Sequence, residues 1–594
     1  FSGGGGAILK AFGGVIVFLC VLVGMGNIAF YTLFGDVYNS NLLGLFTEDF
    51  STLFSIGLHH KALLPLQILL SVFLAIACVF LYVRGLKKLE RILSVKRKTS
   101  FLEIGGLLAF LSVLIVVSIN SAFSFKGLSL DKSAHFPTNQ FLRTITPSSF
   151  HALYNLAKIS AKMPKFADFT PKSLETILHE RLTNEPYNLK ALLTHHSTSN
   201  AHEKIEQVFF IVAESLSDYY FEPLNGVVLA QKLQELLKED NVYSFKPKHF
   251  IQGTDRTIKT IGLLISGLYP FSETLMSRMA SVKPLETALA IQIKSLGYNT
   301  NFFYGGSSNW QNLEKFVLVQ GFDKLFYYSN IEPYYNKQAS LYPQPASNNY
   351  GFHDNVLFDY ILDTISNNQK SFNMILTLSN HDTYNLDLKA FKGDLEVPLD
   401  KIQAITNAND LQSMGTRFWS SSVLAHFIKR AREKFPKALF IITGDHFDRN
   451  WQIAQGHLET NHTIPLIIVT PKSVRLYPQT NLGTHMDLIA TILELLTPKN
   501  QSYLSFSKPL FNTNKLPNTK EFRGVLGDNT MAIMFKNQLG FYEPSTSWQC
   551  SINSHHFEPL KLCLDLEELQ HYEKDFLRLK ENQALSWHIF KHGF

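Results

Sequence analysis

Apolar residues along this chain fall into two regimes: long unbroken runs before residue 125, and short runs spaced by helical and turn signals after about residue 205. The long runs, at about 13–33, 62–84 and 102–122, each approach the length that crosses ~30 Å of hydrocarbon as a helix. The short runs VFFIVAE, NTNFFYGG, FNMILTLSN, ALFIITGD and PLIIVTP are β-rich and continuous, as parallel strands buried on both faces should be. Stretches of helical spacing lie between them, such as SETLMSRMASVKPLETALAIQI and WSSSVLAHFIKRAREKF. The alternation predicts an α/β fold, a mostly parallel sheet covered by helices. Residues 1–123 then hold transmembrane helices, and 124–204 a linker with helices in HALYNLAKISAKM and SLETILHERL. Residues 205–511 form the α/β domain, and 512–594 a C-terminal subdomain with a helix near LDLEELQHYEKDFLRLK.

Charge orients the membrane part. The stretch RGLKKLERILSVKRK between the second and third runs holds Arg84, Lys87, Lys88, Arg91, Lys96, Arg97 and Lys98, whereas only Lys61 lies between the first and second. By the positive-inside rule the basic loop is cytoplasmic, so everything after about residue 125 is outside. The net charge of +6 is concentrated in that loop and gives no argument for a nucleic-acid partner. A hydrophobic share of 45% with 48 Phe also leans toward a membrane protein carrying a sizeable soluble part. The chain begins at Phe1, which predicts a fragment or a trimmed product. Cys20 and Cys78 sit in apolar runs; Cys550 and Cys563 are able to pair if the C-terminal end is extracytoplasmic.

Candidate chemistry lies where apolar strands stop. Glu214 ends VFFIVAE, and Asp445 and His446 end the run in FIITGDHFD, the carboxyl edge at which α/β sheets place their ligands. In QGTDRTIKT, Gly253 permits a close approach and Thr257 opens a helix, whose free N–H groups and positive end suit a phosphate in transit. Carboxylates, an imidazole and an alcohol around one cation describe a phosphoryl- or sulfuryl-transfer centre. Each residue also has a plain reading: Glu214 as a solvated strand end, Thr257 as a helix cap, Asp445-His446 as a cap and a surface histidine. His381 after MILTLSN is a candidate for the leaving oxygen or the phosphate, and His462 in NHTIPLIIV for substrate or a second cation. His353, His457 and His485 are weaker candidates.

Taken together, these segments resemble the lipoteichoic acid synthase family, membrane-anchored members of the alkaline phosphatase and sulfatase superfamily, over about residues 205–500. DRTIKTIGLLISGLYP looks most like the variant of Gram-negative relatives. The resemblance implies that Glu214, Thr257, Asp445 and His446 hold one divalent cation, with manganese favoured and magnesium or zinc as alternatives. It implies a covalent phospho-enzyme on Thr257, with Thr254 as the competing hydroxyl, and a pocket including His381 and Trp310. The expected activity is transfer of a phosphoglycerol-type group from a membrane phospholipid to an envelope glycan, lipid or polymer, by a multi-pass inner-membrane protein with a periplasmic catalytic domain. The alternatives are a phosphoethanolamine transferase, a phosphodiesterase- or sulfatase-type hydrolase, and a catalytically silent envelope protein. Two departures stand out: Asn312 replaces the Arg that often lies two residues after the pocket Trp, and Phe447 replaces the Gly that commonly follows Asp-His. The Cys/Ser-x-Pro-x-Arg context that sulfatases use to make formylglycine is absent.

Overall fold

The computed structural model describes residues 4–34, 38, 42, 64–92, 149, 150, 153 and 165–594, except 271–282, 309, 382–383, 407–409, 449–460, 516–522, 527–530, 536–537, 544–548, 554–555 and 560–565. The chain forms two compact units, Phe1–Met163 and Pro164–Phe594.

The first unit contains α1 (Gly4–Phe34) and α2 (Leu64–Ile92), which pack against each other. Each includes a 19-residue stretch, Lys10–Ile28 and Leu69–Lys87, long and apolar enough to cross a membrane. Their large side chains point outward: Phe12 and Ile28 on α1, and Leu69, Phe73 and Leu81 on α2, are all more than half exposed. Water would penalise such faces and a hydrocarbon solvent would not. Gly13 lets the helices close up, since a Cβ there would collide with the Tyr82 hydroxyl. The run at 102–122 and the Cys550–Cys563 pairing lie outside the described residues.

The second unit is built on a seven-stranded mixed sheet. Its strands are β1 (Gln207–Ala213), β2 (Val242–Ser244), β3 (Asn299–Tyr304), β4 (Lys324–Phe326), β5 (Ser371–Leu376), β6 (Ala438–Gly444) and β7 (Leu466–Val469). They lie in the order β2-β7-β6-β1-β5-β3-β4. From β6 to β4 all neighbours are parallel, whereas β7 runs antiparallel to both β6 and β2. The expectation of a parallel strand in PLIIVTP is therefore corrected. An apolar run reports burial on both faces and carries no information about direction. Two hydrophobic clusters, one on each face, hold alternate residues of β1: Val208, Phe210 and Val212 on one side, Phe209 and Ile211 on the other.

Residues 164–204, expected as linker, belong to the second unit. Leu174–Arg181 forms α3, capped by the Ser173 hydroxyl, and buries Ile177 and Leu178 in the first cluster. Further helices covering the sheet include α4 (Thr257–Ser266), α5 (Asp354–Thr364), α6 (Leu411–Lys434) and α7 (His485–Leu496). After residue 512 the chain makes a five-stranded antiparallel sheet over 523–559 that the sequence rhythm did not announce. It then ends in α8 (Leu566–His592), whose Ser586 hydroxyl accepts from the Tyr269 amide.

Candidate active site

Register aligns the chemistry. Ala213 of β1 faces Gly444 of β6, and Val212 faces Leu376 of β5, so these parallel strands end together. The next residues, Glu214, Asp445 and Thr377, all emerge at one carboxyl edge. The Glu214 amide donates to the Thr377 hydroxyl (2.9 Å), and the Asp445 amide to the Ala213 carbonyl (3.1 Å). Gly444 is required at the end of β6, because a Cβ would collide with the Leu216 carbonyl. Ser215 takes φ 56°, a left-handed turn that costs a β-carbon residue energy and re-aims the chain just past Glu214.

The structure brings four predicted residues together. Ligand atoms of Glu214, Asp445 and His446 lie within 4.8 Å of one another, and all three side chains are buried. Thr257 Oγ1 lies 2.5 Å from Asp445 Oδ2, 3.3 Å from Glu214 Oε2 and 3.4 Å from His446 Nε2. Thr257 is the first residue of α4, and Arg256 occupies the cap position, so capping does not explain its hydroxyl. Thr254, the rival, is fully buried, with its hydroxyl bonded to the Arg256 carbonyl (3.1 Å) and the Thr260 hydroxyl (2.7 Å).

Proton counting tests whether the cluster suits a cation. His446 Nδ1 lies 2.8 Å from the Phe447 carbonyl, which only accepts, so Nδ1 carries the hydrogen and Nε2 presents a lone pair. Asp445 Oδ1 accepts from the Ser215 and His446 amides, leaving Oδ2 turned inward. Glu214 Oε1 accepts from the Ser215 hydroxyl, leaving Oε2 for Thr257. Two carboxylate oxygens and an imidazole lone pair thus converge on a hydroxyl with one proton. Two buried carboxylates this close repel each other, and a divalent cation relieves that conflict. The donor set of hard oxygens and one imidazole fits manganese, magnesium or zinc.

A family model for sulfatases matches residues 206–498. That stretch is therefore similar to the sulfatase family. The fold is also that of a protein in the alkaline phosphatase superfamily from Vibrio parahaemolyticus, at 17% identity and TM-score 0.50, covering 73% of this chain and 98% of that one. Two further similar structures are the lipoteichoic acid synthase LtaP from Listeria monocytogenes and the phosphoethanolamine transferase EptA from Neisseria meningitidis. For LtaP the identity is 14%, the coverage 66% and 96%, and the TM-score 0.46. For EptA they are 15%, 81% and 84%, and 0.48. The domain thus has a sulfatase-like fold, with a cluster of side chains suited to a divalent cation.

The other predicted residues of this domain have the following surroundings. His381 follows β5, its ring 3.9 Å from that of Tyr350. Trp310 lies in the turn after β3, 5.7 Å from Tyr304. His462 is half-buried, with Nδ1 3.3 Å from Gln252 Nε2, and desolvation pulls its imidazole down to about 4. His485 is structural: Nδ1 accepts from the Gly253 amide (3.0 Å) and Nε2 donates to the Gly444 carbonyl (2.9 Å), tying the Thr257 loop to the end of β6. Burial holds it neutral, at about 4. His353 is buried too, and His457 lies outside the described residues.

Sequence reasoning missed the scaffold around His446. Phe447 does not obstruct the turn; its amide donates to Gln252 Oε1 (2.6 Å) and its ring packs near Tyr219. Asp448 accepts from the Tyr219 and Tyr220 hydroxyls at 2.6 and 2.9 Å, and pairs with buried Arg417 of α6. No local motif marks Arg417 or Tyr219, because α6 and the turn after β1 meet Asp448 only through tertiary packing.

Proposed function

We propose that the chain moves a phosphoglycerol-type group from a membrane phospholipid through Thr257 to an acceptor hydroxyl. The observation that carries this reading is Thr257 Oγ1 at a helix N-terminus, 2.5 Å from Asp445 Oδ2 and beside Glu214 and His446. Glu214, Thr257, Asp445 and His446 would hold one divalent cation, manganese for choice, which would polarise the phosphoryl oxygens and lower the hydroxyl pKa. Thr257 Oγ1 bonds to phosphorus as the bond to the diacylglycerol oxygen breaks. The threonine proton passes to Asp445 Oδ2, and His381 supplies a proton to the leaving oxygen. An acceptor hydroxyl then reverses the sequence at phosphorus and restores Thr257.

The two apolar helices favour a donor that stays in a bilayer, and the basic loop at 84–98 favours a catalytic domain on the outer side. Incubating the full chain in vesicles of headgroup-labelled phosphatidylglycerol with manganese tests the proposal. Label should appear on Thr257 by mass spectrometry and disappear in Thr257→Ala. Diacylglycerol release that survives this substitution would overturn the covalent route, and free glycerol phosphate with no labelled acceptor would make the enzyme a hydrolase.

A further inference from the structure

Helix α6 is buried at every residue from Ser413 to Ala425, and within that stretch stands Arg417, only 2% exposed. A guanidinium so deep in a fold has to be paired, and the identity of its partner says what the pairing can do. Nε and Nη2 form a fork on the Asp448 carboxylate, with Nη2 2.9 Å from Oδ1. Asp448 lies two residues beyond His446, on the turn that follows β6.

The carboxylate that Arg417 holds also joins two turns. Its Oδ2 accepts from the Tyr219 hydroxyl (2.6 Å) and the Tyr220 hydroxyl (2.9 Å), both in the short helical turn Asp218–Phe221 that follows Glu214. The Asp448 amide donates to Ser217 Oγ (2.7 Å), and Ser217 Oγ donates to the Ser215 carbonyl (3.2 Å). Ser215 in turn reaches both carboxylates of the cluster: its amide donates to Asp445 Oδ1 and its hydroxyl to Glu214 Oε1. A line of hydrogen bonds and covalent links therefore runs from Arg417 to Glu214 and Asp445.

The weak point along this line is Ser215. Its φ of 56° is strained for a residue with a β-carbon and persists only where the surroundings hold it. Helix α6 braces the same place a second time. Ser420, one helical turn past Arg417, has its Oγ 2.8 Å from Asn380 Oδ1, and Asn380 Nδ2 donates to the Glu214 carbonyl (3.1 Å). Both ends of the Glu214–Ser215 peptide are thus fixed, the carbonyl through Asn380 and the amide on Asp445.

We propose that Arg417 is a positioning residue for the cation centre: by fixing Asp448 between the two turns, it holds Glu214 and His446 at the separation that one divalent cation needs. This rests on the cation reading above. Were the pair there for stability alone, an uncharged pair of similar shape would serve as well, because desolvating two charges offsets most of their attraction. The fork matters for position, since it fixes the plane of the carboxylate as well as its place, which a single ammonium contact does not.

The test uses the full chain in detergent, with manganese affinity read by calorimetry and the stability of the metal-free chain by denaturant melts. The double variant Arg417→Met/Asp448→Asn removes both charges and leaves an acceptor for the two tyrosine hydroxyls. We expect it to fold with near-unaltered stability and to bind manganese about 10–100-fold more weakly. Arg417→Lys keeps the charge without the fork and should recover only part of that loss. Ser217→Ala cuts the line one step nearer the cluster with the ion pair intact, and should weaken manganese binding about tenfold. Unaltered manganese affinity in the double variant or in Ser217→Ala overturns the inference, as does affinity that merely tracks stability across the three variants. Should the double variant fail to fold, Ser217→Ala decides alone. An unaltered chain that binds none of manganese, magnesium and zinc overturns the cation reading as well, whereas variants that bind as tightly as an unaltered, cation-binding chain overturn this inference only.

Discussion

At the scale of single residues, the cluster is built by backbone and neighbouring groups that hold one side of Asp445 and His446 and turn the other side toward Thr257. Backbone amides occupy Asp445 Oδ1 and the Phe447 carbonyl occupies His446 Nδ1, so Oδ2 and Nε2 have no choice of direction. Asp445→Asn should therefore weaken manganese binding by about 100-fold or more, measured by calorimetry. Thr257→Ala should leave folding intact and lower turnover by about 10³-fold or more, measured as diacylglycerol release.

His353 offers a pH test at a residue outside the four-residue cluster. Burial pulls its imidazole from 6.5 down to about 4, so the folded chain favours the neutral ring. Its contribution to stability is fully present above pH 6.5 and is lost as pH falls toward 4. Neighbouring Asp354, pushed up to about 6 by burial, has the opposite slope, so the wild-type curve alone hides the effect. The stability difference between wild type and His353→Gln should grow by on the order of 3 kcal/mol from pH 4 to 6.5, measured by denaturant melts.

At the scale of elements, the centre depends on strands ending in register and on glycines that let backbones touch. Gly444→Ala would force its methyl group into the Leu216 carbonyl, pushing apart the turns that carry Asp445 and Glu214. The expected cost is about 1–3 kcal/mol of stability, together with weaker cation binding than the stability loss alone explains. Cation titrations followed by circular dichroism would separate the two effects.

For the whole molecule, the division at Met163/Pro164 separates lipid-suited helices from the catalytic unit. The fragment Pro164–Phe594 should stay in solution and still gain about 2.7 kcal/mol when manganese stands at 100 times its dissociation constant. A thermal scan with and without manganese checks this, and an unshifted transition would count against the cation site.

The sequence by itself determined the apolar helices, the strand runs, and the residues standing where strands stop. Period and run length are local properties, and burial leaves them written in order along the chain. Thus Glu214, Thr257, Asp445 and His446 were legible as candidates, each with a bland alternative. Only the tertiary structure placed the Thr257 hydroxyl, and not that of Thr254, beside the cluster, because the quantity involved is a distance between residues 43 to 189 positions apart. The direction of β7, the inclusion of 164–204 in the catalytic unit, and the meeting of Arg417 with Asp448 were likewise settled in space. Hydrophobic burial is blind to strand direction and to sequence separation, so pairing and packing, not pattern, fixed them.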